Sequence, residues 1–179
     1  MSRLAKLAPA FAALTFALTA SAGGLEVKGT PSLKFTAVGP GGLKINGTAD
    51  ELKAKEEDGK LVFKASIKTL KTGIGLRDKH TKKYLDVEHW PDASLVIEKS
   101  KVKYPEGSKV SASATGKFRL HGVTHDQKFE YTAEKKDGGY DVTGKLTLNL
   151  DDYKIEQPCY LGVCVDKDIK VDVSFKLKD

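Results

Sequence analysis

The sequence predicts an all-β fold, an antiparallel barrel of about eight strands with one short helical segment near residues 77–88. Three observations carry this. Long stretches alternate apolar and polar residues, the signature of half-buried strands. Gly- and Pro-containing clusters fall between those stretches, as turns require. One polar segment, "GLRDKHTKKYLDVEHWPDASL", does not alternate at all.

The strands are read in chain order. Residues 32–38 place Leu33, Phe35 and Ala37 on one face. Residues 61–68 place Leu61, Phe63, Ala65 and Ile67 on one face, with Lys64, Ser66 and Lys68 on the other. Residues 93–102 follow Pro91 and offer Leu95 and Ile97. The cleanest case is 110–120, where Val110, Ala112, Ala114, Gly116, Phe118 and Leu120 oppose Ser111, Ser113, Thr115, Lys117 and Arg119. After a turn near Gly122, Phe129, Tyr131 and Ala133 continue the pattern. Tyr140, Val142, Gly144, Leu146, Leu148 and Leu150 form the next inward row, and Val171, Val173, Phe175 and Leu177 the last. "PGG", "EDG", "PEG" and "DGG" supply turns that tolerate positive φ.

Long antiparallel strands with one polar face need their apolar face enclosed and their edges hidden. A closed up-and-down barrel does both; a β-sandwich is the competing arrangement. The inward rows mix large residues with Ala112, Ala114, Gly116, Ala133 and Gly144. Small residues inside a barrel either fit its taper or leave a hollow, and sequence leaves both open.

Residues 1–22 read as a secretory signal peptide. Arg3 and Lys6 precede an apolar run too short to span a bilayer, and Ala20-Ser21-Ala22 is a small-residue cleavage signal. Cleavage leaves one barrel domain, 23–179, secreted or periplasmic. The loss of Arg3 and Lys6 lowers the formal charge from +6 to +4. That is mild, and Lys and Arg are interspersed with Asp and Glu, so no nucleic-acid footprint is expected. No later stretch is apolar and long enough for stable membrane insertion. Cys159 and Cys164 are expected to form a disulfide, because export places them in an oxidising compartment and the strand-like sequence after them argues against a redox helix. A zinc site would need two further ligands, with no His close by.

The polar segment invites a chemical reading. His80 and His89 with Asp86 and Asp92 match no standard metal spacing. The chain contains neither G-x-S-x-G nor H-E-x-x-H. His121 and His125 frame a turn, not one helical face. No catalytic residue and no metal ligand are therefore expected, and no enzymatic role. The segment reads as a short helix with Asp78 as its cap and Leu76, Tyr84 and Leu85 as buried contacts. Arg77, Asp78 and His80 would lock it in place by hydrogen bonds and an ion pair, or gate a ligand, since functional residues concentrate on such connections.

"LRDKHTKKYLDVEHWPDASL" followed by "ATGKFRLHGVTHDQKFEYTAE" resembles the YceI-like, polyisoprenoid-binding periplasmic proteins. Arg77, Asp78 and His80 fit that family's Arg-(Asp/Asn)-x-His element, followed in order by Leu85, Asp86, Val87 and Pro91. Gly116, Phe118, Gly122, Val123 and Thr124 fit its second element. The chain departs at Thr81, at Tyr84-Leu85, at His125-Asp126, and in the "DDYKIEQPCYLGVC" region, where the family's late Phe-Gly element is missing. The resemblance implies a lipocalin-like barrel with an elongated apolar tunnel, whose ligands are long isoprenoids such as prenyl phosphates or quinones. It implies no enzyme cofactor beyond such a bound lipid.

The leading expectation is thus a carrier of a long-chain apolar small molecule. Its expected lining is Leu33, Phe35, Phe63, Ile67, Leu95, Ile97, Phe118, Leu120, Phe129, Tyr131, Leu146, Leu148, Val171, Val173 and Phe175, with Arg77 or His80 meeting a polar headgroup. The alternative is a filled, ligand-free barrel serving as a stress-related protein-interaction module. Monomer and homodimer are both open.

Overall fold

The computed structural model of the chain describes residues 25–160 and 163–178. The expected signal peptide, 1–22, lies outside the described residues. Strands β1 (Glu26–Val38), β2 (Lys44–Ala49), β3 (Leu52–Glu57), β4 (Lys60–Ser66), β5 (Asp92–Glu98), β6 (Lys109–Leu120), β7 (Val123–Lys136) and β8 (Gly139–Asn149) are followed by a short hairpin, β9 (Cys159–Tyr160) and β10 (Val163–Cys164), and by β11 (Asp168–Lys178). One helix, α1 (Gly75–Tyr84), interrupts the series between β4 and β5. Nine of the strands form one antiparallel sheet in the order β2-β1-β11-β8-β7-β6-β5-β4-β3.

The sheet curls into a half-barrel because its order is nearly circular in sequence. Each strand pairs with a chain neighbour, and β1 pairs with β11, which brings the two ends of the chain together. No ladder joins the edge strands β2 and β3. Closure by hydrogen bonds all the way round, as the sequence suggested, is therefore not what forms. The seam is bridged by the chain itself. β2 and β3 run in the same direction as two halves of one bent stretch, interrupted only by Asp50 and Glu51; the first half pairs with β1 and the second with β4. Counting that stretch once gives the expected eight strands.

Alternation sets which face turns inward. Along β6 the inward residues Ala114, Gly116 and Leu120 are buried, while Lys109, Ser111, Ser113, Thr115, Lys117 and Arg119 are exposed. The β6–β7 register is fixed by a two-residue turn. Leu120 faces Val123, and His121 (φ 51°) and Gly122 (φ 75°) both take left-handed conformations, the requirement of the tight hairpin turn whose twist matches the strands. Trp90 lies against this turn: a Cβ on Gly122 would stand 2.6 Å from its ring. The same arrangement, a ring over a glycine, holds in the β1–β2 ladder, where the Phe35 ring covers Gly47.

Two buried clusters sit inside the sheet. One gathers Ile67, Val87, Ala93, Leu120, Leu148, Leu150, Tyr153 and Ile155 at the end that carries α1. The other gathers Leu61, Ile97, Ala114, Phe129 and Tyr131. Each fully buried large apolar side chain contributes roughly 1.5–3 kcal/mol relative to exposure.

Candidate ligand-binding site

Between these clusters the half-barrel is hollow. A cavity of about 1070 Å³ occupies its interior. Each of the fifteen inward residues named from the sequence, from Leu33 and Phe35 on β1 to Val171, Val173 and Phe175 on β11, borders this space. Leu33, Phe35, Phe63, Leu95, Leu146, Val171 and Val173 point inward yet are only half-buried. The area they leave exposed is cavity wall. Apolar wall in contact with water is unfavourable at roughly 25 cal/mol per Å². An apolar guest would relieve that cost.

The same end of the sheet carries the connections that rim the cavity. The strand registers place together the start of β2, the end of β4, the start of β5, the β6–β7 turn and the start of β11. Around this mouth lie Gly39, Pro40 and Leu43 before β2, and Arg77, His80, Thr81, Tyr84, Leu85 and Asp86 in and after α1. The short hairpin adds Cys159, Val163 and Cys164. Cys159 and Cys164 are disulfide-bonded, and Asp166 N–H donates to the Val38 carbonyl at 2.7 Å, tying the hairpin to β1. These rim residues, apart from the polar segment, carry no alternation and were not recognisable from sequence.

The helix is fastened at its start. Its N-cap is Ile74, and no side chain caps it. Asp78, expected as the cap, instead lies one turn inside the helix, and Thr72 donates both its N–H (2.6 Å) and its hydroxyl to the Asp78 carboxylate. Those bonds hold the Asp78 carboxyl below its ordinary value, the Thr72 hydroxyl contributing most. Arg77 Nη2 donates to the Thr72 carbonyl at 2.6 Å. Neighbouring residues thus clamp Thr72 from both sides of its peptide, which replaces the ion pair the sequence suggested. His80 takes no part: it is exposed on the cavity side, with no side-chain hydrogen bond among the described residues. Leu76, expected to be buried, is 66 % exposed, and no residue of α1 is buried.

One polar atom at the mouth is unsatisfied. Arg77 Nε is buried without a hydrogen-bond partner, and its side chain borders the cavity. A buried N–H left unpaired costs about 1–3 kcal/mol.

Beneath the mouth the wall contains one polar network that sequence reasoning missed. Tyr153, fully buried, donates from its hydroxyl to Gln127 Oε1 at 3.2 Å. Gln127 Nε2 donates to the carbonyls of Lys128 and Thr147. Burial, with a smaller push from Asp152, drives the Tyr153 hydroxyl up to about 12, so it stays neutral and donates. Edge-on contacts with Phe118 and His125 fix the ring. Gln127 was detectable in principle: stepping back by two from Phe129 puts a polar residue on the inward face.

Elsewhere the polar groups pair locally. His89 Nδ1 lies 2.7 Å from Asp86 Oδ1, which raises the His89 pKa above its ordinary value, and Lys64 pairs with Asp92 at 2.8 Å. Among the described residues, no three His, Cys, Asp or Glu side chains converge as metal ligands.

An antiparallel half-barrel wrapped around a large apolar cavity, with a helix over its mouth, defines the class as a small-molecule-binding barrel. The particular family follows from comparison. Residues 10–177 match the YceI-like domain, and the chain belongs to that family. The fold is similar to the polyisoprenoid binding domain from Saccharophagus degradans implicated in plant cell wall breakdown (TM-score 0.71, 14 % identity, covering 86 % of this chain and 97 % of that one). It is similar also to BcnA of Burkholderia cenocepacia (TM-score 0.63, 13 % identity, 80 % and 95 %). The YceI protein of Campylobacter jejuni aligns with a TM-score of 0.55 at 17 % identity, over 75 % of this chain and 85 % of that one. No curated protein sequence matches the chain significantly.

Proposed function

We propose that this chain is a periplasmic or secreted carrier that holds one long isoprenoid, a prenyl phosphate or a quinone, in its half-barrel, and that it binds without transforming it. The cavity of about 1070 Å³ with its half-exposed apolar wall is the observation that carries this reading. The tail lies against Leu33, Phe35, Phe63, Leu95, Phe118, Leu146, Val171 and Val173. Each methylene moved from water onto that wall contributes about 0.8 kcal/mol before the costs of association. The head lies at the mouth, where the Arg77 side chain borders the cavity and a guanidinium suits phosphate or carbonyl oxygen. The polyisoprenoid binding of the Saccharophagus domain, which shares the fold, supports the ligand class. The disulfide and the signal-like residues 1–22 support export. A ligand-free interaction module is disfavoured, since such a module has no need of a hollow interior.

The test is displacement of a fluorescent prenyl phosphate from the mature protein. Unlabelled prenyl phosphate and a long-chain quinone should compete, and Arg77→Met should weaken the phosphate more than the corresponding prenyl alcohol. Absence of saturable binding to any of the three would overturn the proposal.

A further inference from the structure

The mouth of the cavity carries an apolar and basic surface beside the ligand site. Ile74 and Leu76 at the start of α1 are 54 % and 66 % exposed, and Leu43, on the cavity rim, is 64 % exposed. Together with Val163 of the disulfide hairpin, 54 % exposed on the opposite rim, these are the most exposed large apolar side chains among the described residues, and they share one end of the molecule. Helix α1 and the residue after Leu43 place mostly positive charge beside them. α1 carries Lys79, Lys82 and Lys83, and Lys44 follows Leu43. The helix's one acidic residue, Asp78, is engaged by Thr72. Just after the helix, Asp86 is paired with His89 and Glu88 is exposed; Asp151, Asp152, Glu156 and Asp166 lie on the opposite rim, around the disulfide hairpin.

We propose that the Leu43–α1 rim is a docking surface for an anionic lipid bilayer, so that the mouth opens against the membrane. Leu43, Ile74 and Leu76 enter the interface between headgroups and acyl chains, and the lysines meet the anionic headgroups. Such peripheral binding needs apolar area and positive charge together, and the rim supplies both beside the opening. Helix α1 has the geometry for this contact: with no residue buried in the protein, its outer face is available. The inference is independent of which lipid fills the cavity. It gives a route by which a water-insoluble guest passes from bilayer to barrel without crossing bulk water.

Flotation of the mature protein with liposomes tests it. Vesicles of phosphatidylcholine with phosphatidylglycerol should carry the protein upward; vesicles of phosphatidylcholine alone, or added salt, should carry much less. Leu76→Glu should reduce binding roughly tenfold, and Lys79→Glu and Lys83→Glu each by at least about fivefold. All three positions are exposed, and far-ultraviolet dichroism checks that each variant folds. Wild type that stays at the bottom of the gradient, or variants that float as well as wild type, would overturn the proposal. Self-association through this rim is the competing occupant: a concentration-dependent dimer that Leu76→Glu dissociates, without vesicle binding, would also overturn it. Protein that carries lipid in its cavity yet never floats removes the docking surface and leaves the carrier reading standing.

Discussion

Gly122→Ala is the most informative single change to the fold, because it strikes the joint between the helical segment and the barrel. Gly122 has φ 75° in the β6–β7 turn, and its added Cβ would stand 2.6 Å from Trp90. Two costs follow. A non-Gly residue in the left-handed region costs roughly 1–2 kcal/mol, and the ring must retreat by nearly an ångström to reach ordinary contact. That retreat loosens Trp90 from Arg119, whose guanidinium carbon lies 5.1 Å from the ring centroid, a contact worth about 0.5–1 kcal/mol at an exposed site. The loss expected is about 2–3 kcal/mol, large against the 5–15 kcal/mol of a typical domain. The chain has one Trp, so fluorescence reads the joint directly. Urea unfolding followed by Trp90 emission and by far-ultraviolet dichroism should show a lower midpoint with unchanged slope, and a native emission maximum shifted to the red. An unchanged midpoint and maximum would refute the argument that Trp90 packs on this glycine.

Tyr153→Phe should destabilise by about 1–2 kcal/mol, since it strands Gln127 Oε1 inside the wall; Gln127→Leu in the same protein should change the penalty non-additively in a double-mutant cycle. Reduction of Cys159–Cys164 should cost about 2 kcal/mol, the loop-entropy value for so short a loop, measured as the difference between unfolding curves with and without dithiothreitol. His89 gains its hydrogen bond to Asp86 in the folded state, so its folded pKa lies above its unfolded one. Its contribution to stability is fully present below pH 6.5 and is lost as pH rises through the raised value; NMR titration should find His89 above 6.5 and Asp86→Asn should return it there. Asp78 behaves oppositely: its contribution is present above pH 3.8 and is lost as pH falls through its lowered folded value, and Thr72→Val, which keeps the backbone N–H bond but loses the hydroxyl, should reduce that acid sensitivity.

Much of the barrel was legible because solvent outside and apolar space inside impose a period of two on every long strand. Residues 110–120 and 140–150 announced β6 and β8 for that reason, and "LHGV" marked the tight turn between β6 and β7. What the pattern lacks is depth. Phe35, Phe63 and Val173 would alternate identically in a filled core, so the hollow becomes visible only when their half-exposure is seen. The seam was hidden because β2 and β3 are short, with the local break at Asp50 and Glu51. Helix α1 was legible as a segment but not in its fastening: sequence spacing favours Asp78 as a cap, and the fold spends it on Thr72, which is six residues distant. Tyr153 lay in a stretch with no periodicity, and only the register of β7 pointed toward its partner Gln127.

The central claim is that the half-barrel holds a long apolar molecule. Native mass spectrometry of the mature protein, purified without detergent from the cell that makes it and then extracted for lipid analysis, tests that most directly. The account predicts a mass above that of the polypeptide, released by organic solvent as one isoprenoid per protein. A polypeptide mass alone, with no extractable apolar molecule and no uptake of prenyl phosphate or quinone on addition, would contradict it.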